Sequence, residues 1–245
     1  MEDTINPIPE VKPQKVKPNR LSLTPVSGKE GLFQGVKSDG TTYSVRKDRH
    51  SYFYPSVWNR FVATLKPQQE VLFDTLIQTG ARIEEALNIR PKDFKWDRNT
   101  LELFVTKVKA KKGQTKVMGG QSRSFQVGSK YCKKMKKYID TNNILPDEKI
   151  FKMTKQGAWQ LLRRKLKKMG IQDYWQYSLH NIRKTHGMWL KTLQHRGTDL
   201  DVSEICMRLG HDMNTFLKHY GSPSIFGDAD RDRMIDILGD IYGLK

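Results

Sequence analysis

Cysteine is almost missing from this chain: two residues in 245, Cys132 and Cys206. They lie far apart with no CxxC or CxxxxH neighbour, which excludes a disulfide framework and a thiolate zinc site, and both are expected to be reduced. Long apolar runs are missing too, so no segment reaches membrane-spanning length. The opening "MEDTINPIPE" is acidic and proline-rich where a secretory signal would be basic and then apolar. These absences point to a cytoplasmic or nucleoid location, with no membrane partner. Acidic residues are also short: 26 Asp and Glu face 44 Lys and Arg, a formal net charge of +18. Such an excess must be offset by a polyanion or endured as self-repulsion, which makes nucleic acid the leading partner. A lysine-rich surface with no specific partner is the alternative on charge alone.

Half of the ten prolines fall in the first 25 residues. There "NPIPEVKPQKVKPNRLSLTP" alternates lysine with proline and offers few large apolar anchors, so it reads as a basic, partly flexible arm. "GLFQGVKSDGTTYSVRK" follows, with two short alternating runs around Ser38-Asp39-Gly40 that suggest a β-hairpin. This arm and hairpin occupy residues 1–50, and a single larger domain is expected over 51–245.

In that domain "YPSVWNRFVATL" and "KPQQEVLFDTLIQTG" carry apolar stripes at helical spacing, the second opened near Pro67 and stopped at Gly80. "TLELFVTKVKAKKGQTKVMGGQSRSFQVG" places β-prone residues on both sides of a Lys- and Gly-rich centre, the signature of a hairpin with a long basic tip. Helical patterns then fill residues 129–141, 155–169, 179–194, 202–209, 213–220 and 229–241. In the second of these, Trp159, Leu162, Leu166 and Met169 are expected to face inward. The last has Met234, Ile237, Leu238 and Ile241 on one face, suited equally to packing on its own domain or to docking on a neighbouring protomer. No internal repeat is visible. The fold class is mainly α with a small antiparallel β-sheet (α+β).

Three short stretches carry chemistry. In "TGARIEEALNI" Arg82 follows the Gly80 turn and opens a helix, well placed to offer its fork to a phosphate or a carboxylate; pairing with Glu84 or Glu85 on a solvated face is the bland reading. In "SLHNIRKTH" Ser178 can cap a helix that presents His180 and Arg183 on one face. His186 sits six residues after His180, off the i, i+4 spacing of a helical zinc pair. In "LGHDMNTFLKHY" a turn presents His211, and Tyr220 follows nine residues later, with Met213, Phe216 and Leu217 between them at near-helical spacing.

Taken together, residues 79–89, 179–190 and 209–220 resemble the motif boxes of the tyrosine recombinase (phage integrase, or λ-integrase) family, over roughly residues 50–225. The resemblance implies the catalytic-domain fold of that family. It also implies a site-specific recombinase or integrase that cuts and rejoins double-stranded DNA through a covalent 3′-phosphotyrosine, without metal, ATP or other cofactor. Arg82 resembles the first catalytic arginine, His180 and Arg183 the HxxR pair, His211 the second histidine and Tyr220 the nucleophile. Lys107 is the choice for the hairpin lysine and Lys109 the runner-up, with Lys111, Lys112 and Lys116 as further DNA contacts. Glu85 matches the acidic residue that orients its neighbours. The resemblance further implies a homo-oligomer, a tetramer on DNA. About 50 residues precede the catalytic region, too few for the amino-terminal helical bundle that family members usually carry. The chain could therefore grip DNA by arm and hairpin, be a reduced recombinase, or be part of a longer protein. A type IB topoisomerase-like relaxing enzyme and an inactive DNA-binding accessory protein on the same scaffold are the competing functions.

Overall fold

The chain is described here by a computed structural model, covering residues 24–28, 32–36, 42–46, 52–104, 122–194, 200–220 and 226–243. It divides into two compact units, Met1–Asp48 and Arg49–Lys245. In the first, β1 (Thr24–Pro25), β2 (Leu32–Val36) and β3 (Thr42–Arg46) form an antiparallel sheet in that order, with Phe33 opposite Val45 and Gly35 opposite Tyr43.

Among its described residues the second unit is helical apart from one small sheet. Proline at the first helical position opens both α1 (Pro55–Val62) and α2 (Pro67–Thr79), where its missing N–H costs nothing. Gly80 ends α2 in the left-handed region at φ 60°, its N–H bonded to Leu76 O. α3 (Ile83–Ala86) is a single turn. β4 (Phe94–Lys95), β5 (Thr100–Phe104) and β6 (Ser122–Gln126) make the second antiparallel sheet, with Leu101 opposite Phe125 on the core side. The basic segment 105–121 between β5 and β6 lies outside the described residues, and with it Lys107, Lys109, Lys111, Lys112 and Lys116. Then come α4 (Ser129–Thr141), α5 (Lys155–Lys168), α6 (Leu179–Leu193), α7 (Val202–Leu209), α8 (Met213–Tyr220) and α9 (Asp228–Leu238). The mainly α architecture with small antiparallel sheets is the one expected from the sequence.

α6 is the axis of this unit. It is buried from Leu179 to Leu193 except at His180 and Lys191, and it packs against α2, α5, α7, α8 and α9. A helix buried on nearly all sides must have its polar side chains answered internally. Thr185 Oγ1 accepts from Phe53 N at 3.0 Å, and Trp189 Nε1 donates to Phe53 O at 3.1 Å. These bonds seat Phe53 in an aromatic cluster with Trp58, Phe61 and Tyr177.

Two details depart from the periodicity. On α5, Leu161, Leu162 and Leu166 are buried, whereas Trp159, with the Arg163 guanidinium 5.0 Å over its ring, and Met169 at the end of the helix are only half-buried. α9 stops at Leu238: Gly239, at φ 74°, breaks the helix, and Ile241 returns to the core in a separate turn. Met234, Leu238 and Ile241 of this segment are buried on their own domain. Gln78 Nε2 donates to Ile237 O, and Asp240 Oδ1 accepts from Ser129 N at 2.7 Å.

Candidate active site

Four separated pieces of chain meet around the amino-terminal half of α6. Their approach depends on two glycines in the left-handed region. A Cβ on Gly80 would lie 2.5 Å from His186 Cδ2 and 2.9 Å from Leu209 Cδ2, so the α2 turn can sit flush on α6 and α7 only without a side chain. Gly210, at φ 57°, ends α7 in the same way and turns the chain into His211, whose N–H bonds to Cys206 O at 3.0 Å.

Arg183 joins these turns. Its guanidinium is buried; NH1 donates to Gly80 O at 2.7 Å and NH2 donates to Leu209 O. The same NH2 lies 3.0 Å from His211 Nε2, and Nε has no hydrogen-bond partner among the described residues. Burial, and then the neighbouring Arg82 and Arg123 guanidiniums, hold its pKa down to about 9. A cation packed this way gains from an anion placed beside it.

Arg82 caps α3, and its guanidinium is half-exposed at the mouth of a cleft of about 670 Å³ lined also by Lys155, Trp159, His180 and Arg183. Glu85 is sealed beneath it. Its Oε1 accepts from Arg82 NH1 at 2.8 Å, and its Oε2 accepts from Arg82 N at 2.9 Å and from Arg123 NH2 at 2.6 Å. Burial alone would raise the Glu85 pKa, but Arg123 and Arg82 outweigh it and hold the carboxyl below its ordinary value. His180, exposed at the start of α6, faces the same cleft; Ser178, just before it, donates its N–H to Asn181 Oδ1 at 3.0 Å.

Tyr220 ends α8 and is buried. Its ring stacks on Phe216 at 4.9 Å between centroids and lies 6.2 Å from the His211 ring. Gly187 of α6 makes room for it: a Cβ there would meet Tyr220 Cε1 at 2.9 Å and Leu209 Cδ1 at 2.8 Å. Lys191 Nζ donates to Tyr220 O at 2.5 Å and fixes the end of α8. Burial pushes the phenol up to about 12 although nearby Arg183 favours the ionised form. Of the three residues expected to support it, only Phe216 does so. Met213 and Leu217 are 44% and 56% exposed, because α8 rests on α6 and α7 by a narrower face than the apolar spacing suggests.

The structure therefore gathers Arg82, Glu85, His180, Arg183, His211 and Tyr220 in one region. Lys107 and the other tip lysines fall outside the described residues. His186 does not join the cluster. It is fully buried, its Nδ1–H donates to Ile77 O at 2.6 Å, and its Nε2 accepts from Arg208 Nε at 2.9 Å. Burial and then Arg208 keep it neutral, well below the usual histidine range. Among the described residues no group of three or more His, Cys, Asp or Glu is placed to hold a metal ion, and no helix is long and apolar enough to cross a membrane.

The sequence pattern of the phage integrase family matches residues 52–224, a stretch that contains every side chain of this cluster. The chain belongs to the phage integrase family. Solved structures with the same fold include the XerH site-specific recombinase bound to difH substrate, with a TM-score of 0.53 and 15% identity over 77% of this chain and 56% of that one. XerA recombinase gives a TM-score of 0.53 and 17% identity, over 76% of this chain and 64% of that one. The Tn1549 transposon integrase in complex with transposon right end DNA gives 0.54 and 14%, over 82% and 69%. The chain thus spans less than two thirds of the two Xer recombinases. No curated protein matches it in sequence.

Two arginines of this phage integrase domain escaped the sequence reading. Arg123 on β6 shares Glu85 with Arg82. Arg208, fully buried on α7, donates to His186, to Gln126 O at 2.6 Å and to Gln78 O, beneath the Phe125 ring. The only signal for Arg208 was its place two residues before the Gly210 turn; for Arg123 there was none.

Proposed function

We propose that this chain cuts and rejoins double-stranded DNA as a site-specific recombinase or integrase, with Tyr220 as nucleophile. The observation that carries the reading is the Arg183 guanidinium, pinned by two backbone carbonyls between the Gly80 and Gly210 turns, with Arg82, His211 and Tyr220 around it.

In the proposed reaction the Tyr220 oxygen attacks the scissile phosphorus and the P–O5′ bond breaks. A 3′-phosphotyrosine and a free 5′-hydroxyl result. The bond energy is kept, so a 5′-hydroxyl can later attack the same phosphorus and release the tyrosine. Charge gathering on the non-bridging oxygens is met by Arg82 and Arg183, with His211 donating a further hydrogen bond; such preorganised donors do the work of a metal ion. With its phenol pushed up to about 12, Tyr220 must lose its proton as it attacks, and His180, which lines the cleft with Arg82 and Arg183, is assigned the part of assisting that loss. Lys107, or Lys109 beside it, is assigned the proton that the departing 5′-oxygen needs, with Lys111, Lys112 and Lys116 on the DNA backbone. Exchange between two duplexes requires four cuts and one tyrosine for each, which supports a homotetramer on DNA. XerH bound to difH substrate and the Tn1549 integrase bound to transposon end DNA, which share this fold, are consistent with this reading.

The test uses a pool of nicked suicide duplexes randomised on both sides of the nick, with covalent adducts read on a denaturing gel. The unaltered chain is expected to form an adduct, Tyr220→Phe none, and Arg183→Ala on the order of 100-fold less. An adduct that survives Tyr220→Phe overturns the assignment. DNA binding without any adduct would leave an accessory protein, and relaxation of supercoils by a monomer would leave a topoisomerase-like enzyme.

A further inference from the structure

Three guanidiniums, those of Arg82, Arg123 and Arg183, surround the single carboxylate of Glu85. Two of the three have a place in the reaction proposed above, on which the following rests; Arg123 has none. Its side chain is only 11% exposed. NH2 bonds to Glu85, while Nε and NH1 are sealed from solvent with no hydrogen-bond partner among the described residues. The side chain packs against the Gly210 turn: a Cβ on Gly210 would sit 2.5 Å from Arg123 NH1 and 3.3 Å from Cδ. An arginine is buried at high cost unless its charge is used. A phosphate cannot reach these sealed nitrogens, so its use must run through Glu85.

We infer that Arg123 is a positioning residue that divides the Glu85 carboxylate with Arg82, so that the Arg82 guanidinium keeps an edge turned to the cleft. Oε1 receives Arg82 NH1, but Oε2 is held by Arg123 together with the Arg82 backbone N–H. Without Arg123, Oε2 would keep only the Arg82 backbone N–H and could take a second bond from the Arg82 fork, which already holds Oε1. A two-toothed pair would close, which is the strong geometry for arginine and carboxylate. The closed pair would draw the guanidinium down from the cleft mouth and neutralise it. Arg123 also stands on the strand that leaves the lysine-rich segment, so the same contact ties that strand to the arginine cluster.

The experiment measures single-turnover adduct formation on the randomised nicked pool, alongside binding of the same pool, for Arg123→Gln, Arg123→Lys, Glu85→Gln and the Arg123→Gln/Glu85→Gln pair. Arg123→Gln is expected to slow adduct formation roughly 10- to 100-fold, the cost of a displaced catalytic contact, with DNA affinity kept within about twofold. Arg123→Lys retains a charge beside Glu85 and is expected within about threefold of the unaltered rate. Once Glu85 is Gln, removing Arg123 should cost less than about threefold more, because both act through one contact.

The inference is overturned by Arg123→Gln at full rate, by an equal loss with and without the Glu85 carboxylate, or by an affinity loss that accounts for the rate. Should Arg123→Gln fail to fold, Arg123→Lys decides alone: a loss above about tenfold removes charge sharing. If the unaltered chain makes no Tyr220-dependent adduct, the proposed function falls and this inference with it. A normal adduct with an indifferent Arg123 sinks the inference only.

Discussion

Gly187→Ala places one methyl group between α6 and the tyrosine. Two effects oppose each other. Replacing glycine by alanine inside a helix favours folding by roughly 0.5–1 kcal/mol. The new Cβ, however, would stand 2.9 Å from Tyr220 Cε1, 3.1 Å from Cζ and 2.8 Å from Leu209 Cδ1, and both partners are fully buried. Neither is the loose end of a flexible side chain, so the clash has to be relieved by moving α8 or the Tyr220 ring, and overpacking of this kind costs about 1–3 kcal/mol. With both partners fixed the clash outweighs the gain, leaving a net loss of up to about 2.5 kcal/mol, which for a domain of this size lowers Tm by up to roughly 10 °C. The same shift moves the phenol relative to Arg183 and His211, and a displacement of about 1 Å is enough to slow adduct formation on the order of 100-fold. Calorimetry and the nicked-duplex assay on one preparation check both numbers. A Gly187→Ala protein that melts above the unaltered chain and cleaves at full rate would refute the seating of Tyr220 on α6.

Other outcomes follow from the buried polar groups. Glu85 is held below its ordinary pKa by Arg123 and Arg82 against the effect of burial, so its stabilisation is complete above that ordinary value, near 4.5, and is lost as pH falls through the depressed one. Glu85→Gln should therefore cost about 2 kcal/mol at neutral pH, with the gap closing in acid; a gap that is constant in urea titrations from neutral to acid pH would contradict the pairing. His186→Phe takes the acceptor from the buried Arg208 Nε and should cost about 3–5 kcal/mol, visible as a large fall in melting temperature; an unchanged melt would show that Arg208 finds another partner. On α8, Leu217→Ser should alter stability by less than about 0.5 kcal/mol while Phe216→Ala costs about 3–5 kcal/mol. Equal costs for the two would mean that α8 is turned differently.

How much of this was legible beforehand depends on the kind of residue. Proline at 67 and glycine at 80 mark the ends of α2 because each acts on the backbone locally, whatever surrounds it. The spacing of His180 with Arg183 and of His211 with Tyr220 was equally readable, since helical geometry and a turn set it. Met213 and Leu217 misled: periodicity tells which side chains share a face, not how much of that face a neighbour covers. α9 read too long because a glycine inside an apolar pattern does not announce on its own that the chain will leave the helix. Arg123 and Arg208 were invisible for a further reason. In so basic a sequence a buried guanidinium looks like a surface one, and its acceptors here are largely backbone carbonyls or a glutamate distant in the chain.

The most direct measurement is to digest the covalent protein–DNA adduct with nuclease and protease and locate the nucleotide by mass spectrometry. The account requires the mass on the peptide containing Tyr220, joined through a 3′-phosphate. A nucleotide on any other residue, or one linked through its 5′-phosphate, would contradict it.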